Sequence, residues 1–403
     1  MWFQTILLAL KEIRRNLMRS ALTILGVVIG VAAVITMVTL GSGATTKITE
    51  DISKLGSNLL QIRPGQGRGP GGARSESQPF EESDVEAIRN QIKSLAAVAP
   101  VNSSMAQVIY GNQNYITSIT GSTNDYIKAQ NWVIDSGREF NNGEINGGKS
   151  VCIIGASLKT NLFGAEDPIG MTIRLKKISF KIIGVFESKG QSSFGRDQDD
   201  FVLIPIKTLQ RRISGNRDIS SILVSAMDGV DTEKIKENIE TLMRERRPGS
   251  KAKDEDDFSV MDMKELASML TSTTKALTAL LGAIAAVSLL VGGIGIMNIM
   301  LVSVTERTRE IGIRLAIGAL ESEVLKQFLL EAVVLSSFGG IIGITLGLSA
   351  AALLSKLLGI PFIISPGIVM IAFLFSAAVG VVFGFVPAKK AAQLDPIDAL
   401  RHE

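Results

Sequence analysis

Four long apolar stretches constrain this chain more than any other feature. They are residues 21–40, 276–304, 328–354 and 368–386, and the first carries no charged side chain. About 20 apolar residues are enough to cross the ~30 Å hydrocarbon core of a bilayer. Because 46% of all residues are hydrophobic, the composition also favours a membrane protein over a soluble one. We therefore predict four transmembrane helices in contact with a lipid bilayer.

The first stretch has a second interpretation, because Arg14, Arg15 and Arg19 precede it as basic residues precede a signal peptide core. Such cores run to about 7–15 residues, and this one is longer, so we favour an uncleaved anchor. The second stretch exceeds the bilayer thickness at ~1.5 Å per residue. It is predicted to tilt or to continue beyond the lipid as a stalk.

The basic residues predict the orientation of the spans. Cytoplasmic flanks are rich in Lys and Arg, and here basic residues lie before the first span, between the second and third, and after the fourth: Lys11, Arg14, Arg15, Arg19, Arg307, Arg309, Arg314, Lys326, Lys389, Lys390 and Arg401. We predict a multi-pass membrane protein with both termini in the cytoplasm. Residues 41–274 then face the outside, or a periplasm.

These spans divide the chain into predicted segments, in the order that follows. The order is an amphipathic helix on the inner membrane surface at 1–19, the first span and a stalk at 20–55, a periplasmic core domain at 56–265, a stalk and the second span at 266–304, a coupling loop at 305–327, the third span at 328–356, a periplasmic loop at 357–366, the fourth span at 367–387 and a cytoplasmic tail at 388–403. The fold class is an α-helical membrane protein with a large α/β domain between helices 1 and 2.

The large outer segment carries mixed α/β signals. Short β-type runs separated by Gly, Asn and Asp turns fill about 105–210, which is typical of strands. A charged amphipathic helix is predicted at 230–247. We expect two subdomains, an α/β part and a mostly β insertion at about 105–210.

One string suggests a nucleotide site. Residues 143–150, GEINGGKS, satisfy G-x-x-x-x-G-K-[ST], the pattern of phosphate-binding loops. Such a loop needs a buried strand before it and a helix starting at its Lys-Ser, so that helix N–H groups face the phosphates. Here a polar stretch precedes the string and the apolar, β-type SVCIIG follows it. We interpret the match as chance and expect no ATPase activity in this chain.

Composition argues against several other classes. Cys152 is the only cysteine and His402 the only histidine, so an intrachain disulfide or a cysteine-clustered metal site is excluded. The net charge of +3 gives no reason to expect nucleic acid as a partner. We expect no catalytic residue, cofactor or metal here. The adjacent acids Asp199 and Asp200 are interpreted as solvated surface.

Small residues recur at a spacing of four inside the spans. Such stripes let helices approach closely, either within one chain or at a dimer seam, and both uses stay open. The candidates are Gly26, Gly30, Gly339, Gly343, Gly347, Gly380 and Gly384. An acid inside a span is a candidate for function. Glu331 is such an acid, but it is near the predicted cytoplasmic edge, so we favour an interfacial position for its carboxylate.

Several longer strings carry a resemblance to a known family. VTERTREIGIRLAIGA (304–319) and PAKKAAQLDPIDALR (387–401) closely resemble the cytoplasmic loop and tail of FtsX-like and MacB-like permeases of ABC transporters. TILGVVIGVAAV in span one and GGIGIMNIMLVSV in span two are similar to the same family. QDDFVLIPI and VCIIGASLKTNLFG resemble its periplasmic domain more weakly.

The resemblance implies an inner-membrane permease that forms a homodimer and binds two cytoplasmic ATPase subunits, which hold ATP and Mg. In MacB the ATPase is fused before the permease, whereas this sequence starts at the amphipathic helix. The resemblance therefore implies either that the ATPase is a separate polypeptide or that this sequence is part of a longer protein.

The 305–319 segment also has a physical interpretation of its own. Its charged and apolar side chains on a short segment predict docking in a groove of a soluble partner through ion pairs, and the coupling candidates are Glu306, Arg307, Thr308, Arg309, Glu310, Ile311 and Gly312. The alternative is a solvated loop whose Arg residues only fix topology. Ile311, Ile313, Leu315 and Ile317 argue against it, because exposed apolar residues favour a partner.

The leading functional hypothesis is mechanical coupling of ATP hydrolysis to a periplasmic movement. The resemblance implies efflux of a macrolide, peptide or similar substrate through a periplasmic membrane-fusion adaptor and an outer-membrane channel. The alternatives within the family are a lipoprotein-releasing permease and a regulator of cell-wall hydrolases. From a different class, a membrane-anchored periplasmic sensor or binding module stays open, although it would not need the 305–319 segment.

Overall fold

The computed structural model describes residues 17–56, 58–65, 67–68, 74–75, 78–192, 197–247 and 256–401. These residues fall into two compact units. The helical unit draws on Met1–Lys47 and Thr271–Glu403, and the mixed unit on Ile48–Leu270. The predicted surface helix at 1–19 lies outside the described residues, except for its last three, which begin the first helix.

Helix α1 (Leu17–Gly56) joins the apolar first stretch and its polar continuation in one element. The boundary between the two units falls inside it, after Lys47. Gly56 ends the helix with a φ of 101°, a left-handed conformation that glycine adopts without a steric cost.

The mixed unit is built on one large sheet. Strands β2 and β3 form a separate small pair, and the other strands belong to the large sheet. The strands of the unit are β1 (Leu59–Pro64), β2 (Gly67–Arg68), β3 (Arg74–Ser75), β4 (Leu95–Tyr110), β5 (Gln113–Ser122), β6 (Ile134–Gly137), β7 (Val151–Ile154), β8 (Thr172–Leu175), β9 (Ile178–Phe186), β10 (Phe201–Pro205), β11 (Ser221–Ala226) and β12 (Phe258–Asp262). Its helices are α2 (Glu82–Gln91), α3 (Asn124–Ala129), α4 (Asn142–Gly147), α5 (Ala156–Phe163), α6 (Ile206–Thr208) and α7 (Thr232–Arg246), with a π-helical turn at Leu209–Ser214.

Six strands of the sheet close into a ring. The sheet order is β12-β1-β11-β4-β5-β10-β7-β9-β6, and β8 pairs with both β4 and β9. Val108 of β4 lies opposite Leu175 of β8, and Ile173 of β8 lies opposite Phe180 of β9. The closed path is therefore β4-β5-β10-β7-β9-β8, as in a small barrel, and inward-facing side chains fill its interior.

Strand β4 belongs to both parts of the sheet. Its first half, to Val101, pairs with β11, and its second half, from Asn102, pairs with β5. The ring covers the predicted β-rich insertion at about 105–210, but the sheet continues through β4 into the strands that α2 and α7 cover. In that covered part, Ile88 of α2 and Ile239 of α7 are fully buried against the sheet.

The helical unit contains the remaining long helices. They are α8 (Met263–Glu306), which begins in the mixed unit, α10 (Glu321–Leu358) and α11 (Pro366–Ala392), with the short helices α9 (Thr308–Ala316) and α12 (Pro396–Arg401). Among the described residues, four helices are long and apolar enough to cross a membrane: Ile24–Ser53 of α1, α8, α10 and α11. They coincide with the four predicted spans. At 44 residues α8 is roughly 66 Å long.

The core of the helical unit is narrow. Buried side chains of all four long helices meet in it, among them Val31, Leu289, Phe328 and Val379. Large apolar side chains on the outer faces are exposed, as on Ile284, Leu346 and Phe375, which is the distribution expected of helices surrounded by lipid.

Candidate functional site

The predicted coupling loop is helical over most of its length. Glu306 is the last residue of α8, Arg307 is the junction, and α9 begins at Thr308. The Thr308 hydroxyl donates to the carbonyls of Val304 at 3.1 Å and Thr305 at 2.9 Å, so this side chain closes the junction and does not extend outward. Sequence analysis placed Thr308 among the docking residues, and that role stays a prediction; the structure shows its hydroxyl bonded to backbone carbonyls of the junction.

One face of α9 packs into the helical unit. Ile311 is only 3% exposed, and Gly312 is buried beside it. A Cβ atom added at Gly312 would lie 2.5 Å from the Cβ of Ala399 in α12. These two predicted docking residues therefore form the base on which α9 is seated, because a larger side chain at Gly312 would separate α9 from α12.

The opposite face of α9 is exposed, and we call it the outward face. It is formed by Arg309, Glu310 and Ile313 of α9 together with flanking residues that are also exposed, namely Glu306 at the end of α8 and Ile317 and Leu320 after α9. Ile317 is 80% exposed and Leu320 is 65% exposed. The outward face thus combines charges of both signs with large, exposed apolar side chains.

Arg314 links α9 to the following span. Its guanidinium donates to Glu310 Oε1 at 2.6 Å within α9 and to Gln327 Oε1 at 3.0 Å in α10. Sequence analysis named Glu310 but missed Gln327, because nothing in the local pattern shows which residue of α10 faces α9.

Arg307 also faces inward. Its Nη1 lies 3.5 Å from Glu331 Oε2 of α10, and the two side chains are 18% and 11% exposed. Glu331 is buried, with 8% of the residue exposed, and its carboxylate is paired within the chain. Its position near the cytoplasmic edge of the membrane stays a prediction.

All seven candidate glycines lie in contacts within this chain. Gly26 approaches Gly292, Gly30 approaches Leu289, and the remaining five pack on α1 or α10: Gly339 on Val27, Gly343 on Val31, Gly347 on Ile35, Gly380 on Ser336 and Gly384 on Ala332. The structure thus shows an intramolecular use for each of them. The predicted dimer seam stays a prediction and would need other surfaces.

Sequence analysis missed a reciprocal contact between α10 and α11. A Cβ added at Gly340 would lie 3.0 Å from the Cβ of Ser376, and one added at Gly380 would lie 3.0 Å from the Cβ of Ser336. Ser336 and Gly340 are four residues apart, as are Ser376 and Gly380. This small-residue spacing was the available signal.

The GEINGGKS string does not have the structure of a phosphate-binding loop. Helix α4 (Asn142–Gly147) covers its first five residues, Gly148 caps that helix in a left-handed conformation (φ 60°), and the chain then enters β7 at Val151. The order is helix and then strand, the reverse of what phosphate binding requires. Among the described residues, no group of three or more His, Cys, Asp or Glu side chains is placed to hold a metal ion.

Comparisons with known proteins match these features over most of the chain. The model of the MacB-like periplasmic core domain matches residues 20–242. The model of the FtsX-like permease C-terminal region matches residues 282–396, which include α9, α10 and α11.

The chain belongs to the family of MacB-like and FtsX-like permeases. Within that family it is an ABC transporter permease with transmembrane helices and a periplasmic domain. Four apolar helices with such a domain are consistent with a multi-pass protein of the inner membrane.

Curated relatives extend the similarity across nearly the full sequence. A protein of Bdellovibrio bacteriovorus, named macrolide export ATP-binding/permease protein MacB, is 42% identical over 391 residues, which are 96% of this chain and 60% of that protein. One of the same name from Rhodospirillum rubrum is 43% identical over 98% of this chain and 59% of its own length. The chain therefore spans about six tenths of these relatives.

A solved structure is similar to part of the chain. The periplasmic region of MacB from Actinobacillus actinomycetemcomitans aligns with a TM-score of 0.46 and 24% identity, covering 56% of this chain and 97% of that one.

Proposed function

We propose that this chain couples ATP hydrolysis by a cytoplasmic ABC ATPase to a movement of its mixed unit. The observation that carries the proposal is the outward face of α9, a short exposed helix held on a packed base between two spans. An ATPase subunit that closes on ATP would push on this face, and α8 and α1 continue from the helical unit into the mixed unit.

The chemistry of the outward face supports docking over topology signalling alone. Arg309 and Glu310 offer both signs of charge for hydrogen-bonded ion pairs with a partner. Ile313, Ile317 and Leu320 offer apolar area that a partner would remove from water. A loop that only fixed membrane topology would need its Arg side chains. It would not need the exposed apolar side chains of Ile313, Ile317 and Leu320.

Export of a macrolide, peptide or similar substrate is the output that we propose. The relatives that cover the chain are named as macrolide exporters. We propose that the substrate is taken up outside the membrane and driven into a periplasmic adaptor and an outer-membrane channel, with two copies of the chain as a homodimer. In the described part of the helical unit, the buried polar groups are mostly single hydroxyls such as Ser336 and Ser376, which supports a route outside the spans.

The proposal includes an arrangement across the membrane. The termini and α9 lie in the cytoplasm, and the mixed unit lies in the periplasm, since basic residues flank the spans on the α9 side. We also propose that the ring and the α/β part act as two subdomains that move about their shared strand β4.

The test is capture of the ATPase by the full chain. We compare the wild type with Glu306→Ala plus Arg309→Ala, with Ile313→Asp, and with the control Lys390→Ala, an exposed charge at the end of α11. Charged and apolar anchors at an interface each contribute about 1–2 kcal/mol or more, so we expect the first two variants to reduce capture at least roughly tenfold, with the control unchanged. Undiminished capture and transport in both variants would remove the coupling role.

A further inference from the structure

The pair of Arg307 and Glu331, with Glu331 buried and Arg307 partly buried, lies away from the outward face. Arg309, two residues away, is exposed on the outward face, whereas the Arg307 side chain is directed into the helical unit. Glu331 lies ten residues inside α10, roughly 15 Å from its start. Phe328 and Ala332, which are near it in sequence, are 2% and 0% exposed, so this part of α10 is packed inside the helical unit.

Keeping two charges in such a place is costly. Taking charged groups out of water is unfavourable, and their mutual attraction has to offset this. Replacing a buried ion pair by well-packed apolar residues is often neutral or stabilising in proteins. Stability alone therefore does not explain the pair. Its geometry does, because the contact between Arg307 and Glu331 favours one arrangement of the junction before α9 relative to α10.

The backbone at the junction leaves little freedom on either side of Arg307. The Arg307 N–H donates to the Ser303 carbonyl of α8 at 3.1 Å, and the Ile311 N–H donates to the Arg307 carbonyl at 2.9 Å. The side chain that links to α10 thus belongs to a residue already bonded to both α8 and α9. Three helices are connected at this one residue.

A second polar contact joins the other end of α9 to α10. Arg314, near the end of α9, donates to Gln327 of α10. Arg314 lies seven residues after Arg307, whereas Gln327 lies four residues before Glu331. The two links run in opposite sequence directions, as they must between antiparallel helices. Helix α9 is therefore attached to α10 near both of its ends, while its outward face stays exposed.

We infer that Arg307 and Glu331 are a positioning pair that makes α9 and the third span move as one body. This inference rests on the proposed function, since it concerns how a push on the outward face reaches the spans. Arg307 does not contact the ATPase. When the pair is broken, the ATPase still binds the outward face, but the displacement is absorbed at the junction.

The first measurement needs no ATPase. Spin labels are placed at Ile317→Cys, directly after α9, and at Leu346→Cys on α10, both exposed positions. Their distance distribution is recorded by electron–electron double resonance on the full chain in lipid nanodiscs. We expect one narrow distribution with the native pair, a broad one in Arg307→Gln or Glu331→Gln, and a narrow one again in the exchanged pair Arg307→Glu plus Glu331→Arg. An unchanged distribution in Arg307→Gln overturns the inference.

The second measurement separates positioning from docking. In the presence of the ATPase, we expect Arg307→Gln to keep ATPase capture within about twofold of the wild type while transport for each ATP hydrolysed falls, because only the internal link is lost. Arg309→Ala should instead lose capture. Loss of capture in Arg307→Gln equal to that in Arg309→Ala, without recovery in the exchanged pair, overturns the inference. If the wild type captures no ATPase, the proposed function fails, and the spin-label distances still decide whether the pair fixes α9.

Discussion

At the residue scale, Glu144 shows how one buried charge is held in the mixed unit. Arg138 donates to both carboxylate oxygens at 2.8 Å, and the backbone N–H of Asn141 donates to Oε2 at 2.9 Å. The hydrogen bonds from Arg138 lower the pKa of Glu144 to about 2, against the opposing effect of burial. Glu144 belongs to the GEINGGKS string, so the acid of this nucleotide-like motif serves the local fold.

The lowered pKa predicts a dependence of stability on pH. A carboxyl group with a depressed folded-state pKa stabilises the fold above its unfolded pKa of about 4.5, and this stabilisation is lost as the pH falls toward 2. Because Arg138 is half-exposed, we expect Glu144→Gln to cost only about 2 kcal/mol at pH 7, and the difference from wild type should shrink below pH 4.5. Thermal unfolding of the purified chain across this range measures it. Glu166→Gln, at an exposed acid, is the control, and an equal cost at pH 7 in both variants would contradict the assignment.

The contact of Gly312 with Ala399 predicts a second residue effect. Gly312→Val should separate α9 from α12 and destabilise the helical unit by about 1–3 kcal/mol, because the added side chain has no space. Ala316→Val, on the exposed side of the same helix, controls for the lower helix propensity of valine. The melting temperatures of the two variants are compared in detergent. Equal stability of Gly312→Val and Ala316→Val would show that α12 does not pack against Gly312.

At the element scale, the sequence predicts what depends on local pattern. Hydropathy located all four spans, and β-type runs between turn residues located most strands of the mixed unit, but not β6 or the first half of β4. It could not show that α9 divides its charged and apolar residues between two faces, since Ile311 and Ile313 look alike in the sequence and only packing separates them. Ring closure through β8 and the pairing of Arg307 with Glu331 depend on contacts between distant residues, so no local signal gave them.

Helix packing in the span region supplies a prediction at this scale. A Cβ added at Gly343 of α10 would lie 2.8 Å from the Cβ of Val31 in α1, whereas one added at Gly282 of α8 meets no atom within 4 Å in the described residues. We expect Gly343→Leu to separate α1 from α10 and give little monodisperse protein on size-exclusion chromatography, with Gly282→Leu close to wild type. The reverse order of damage would mean that the glycine contacts do not hold these helices together.

At the scale of the whole molecule, the proposed topology can be tested with single cysteines. Cys152 is fully buried, and desolvation raises the pKa of its thiol, so the wild type should label little with a maleimide. Met105 on β4 and Ile317 after α9 are 73% and 80% exposed.

We expect a membrane-impermeant maleimide to label Met105→Cys through a permeabilised outer membrane and Ile317→Cys only after the inner membrane is opened. The wild type is the background control. Labelling of Ile317→Cys with the inner membrane intact would place α9 outside and end the coupling proposal.

Strand β4 has a further consequence for the mixed unit. The first half of β4 pairs with β11 and its second half pairs with β5. Unfolding of β4 would therefore break the hydrogen bonds of both ladders together. The ring and the α/β part should therefore denature as a single calorimetric transition, with the van't Hoff and calorimetric enthalpies of that unit in agreement. Two separate transitions are what independent domains joined by a flexible linker would give, whereas these two ladders share one strand.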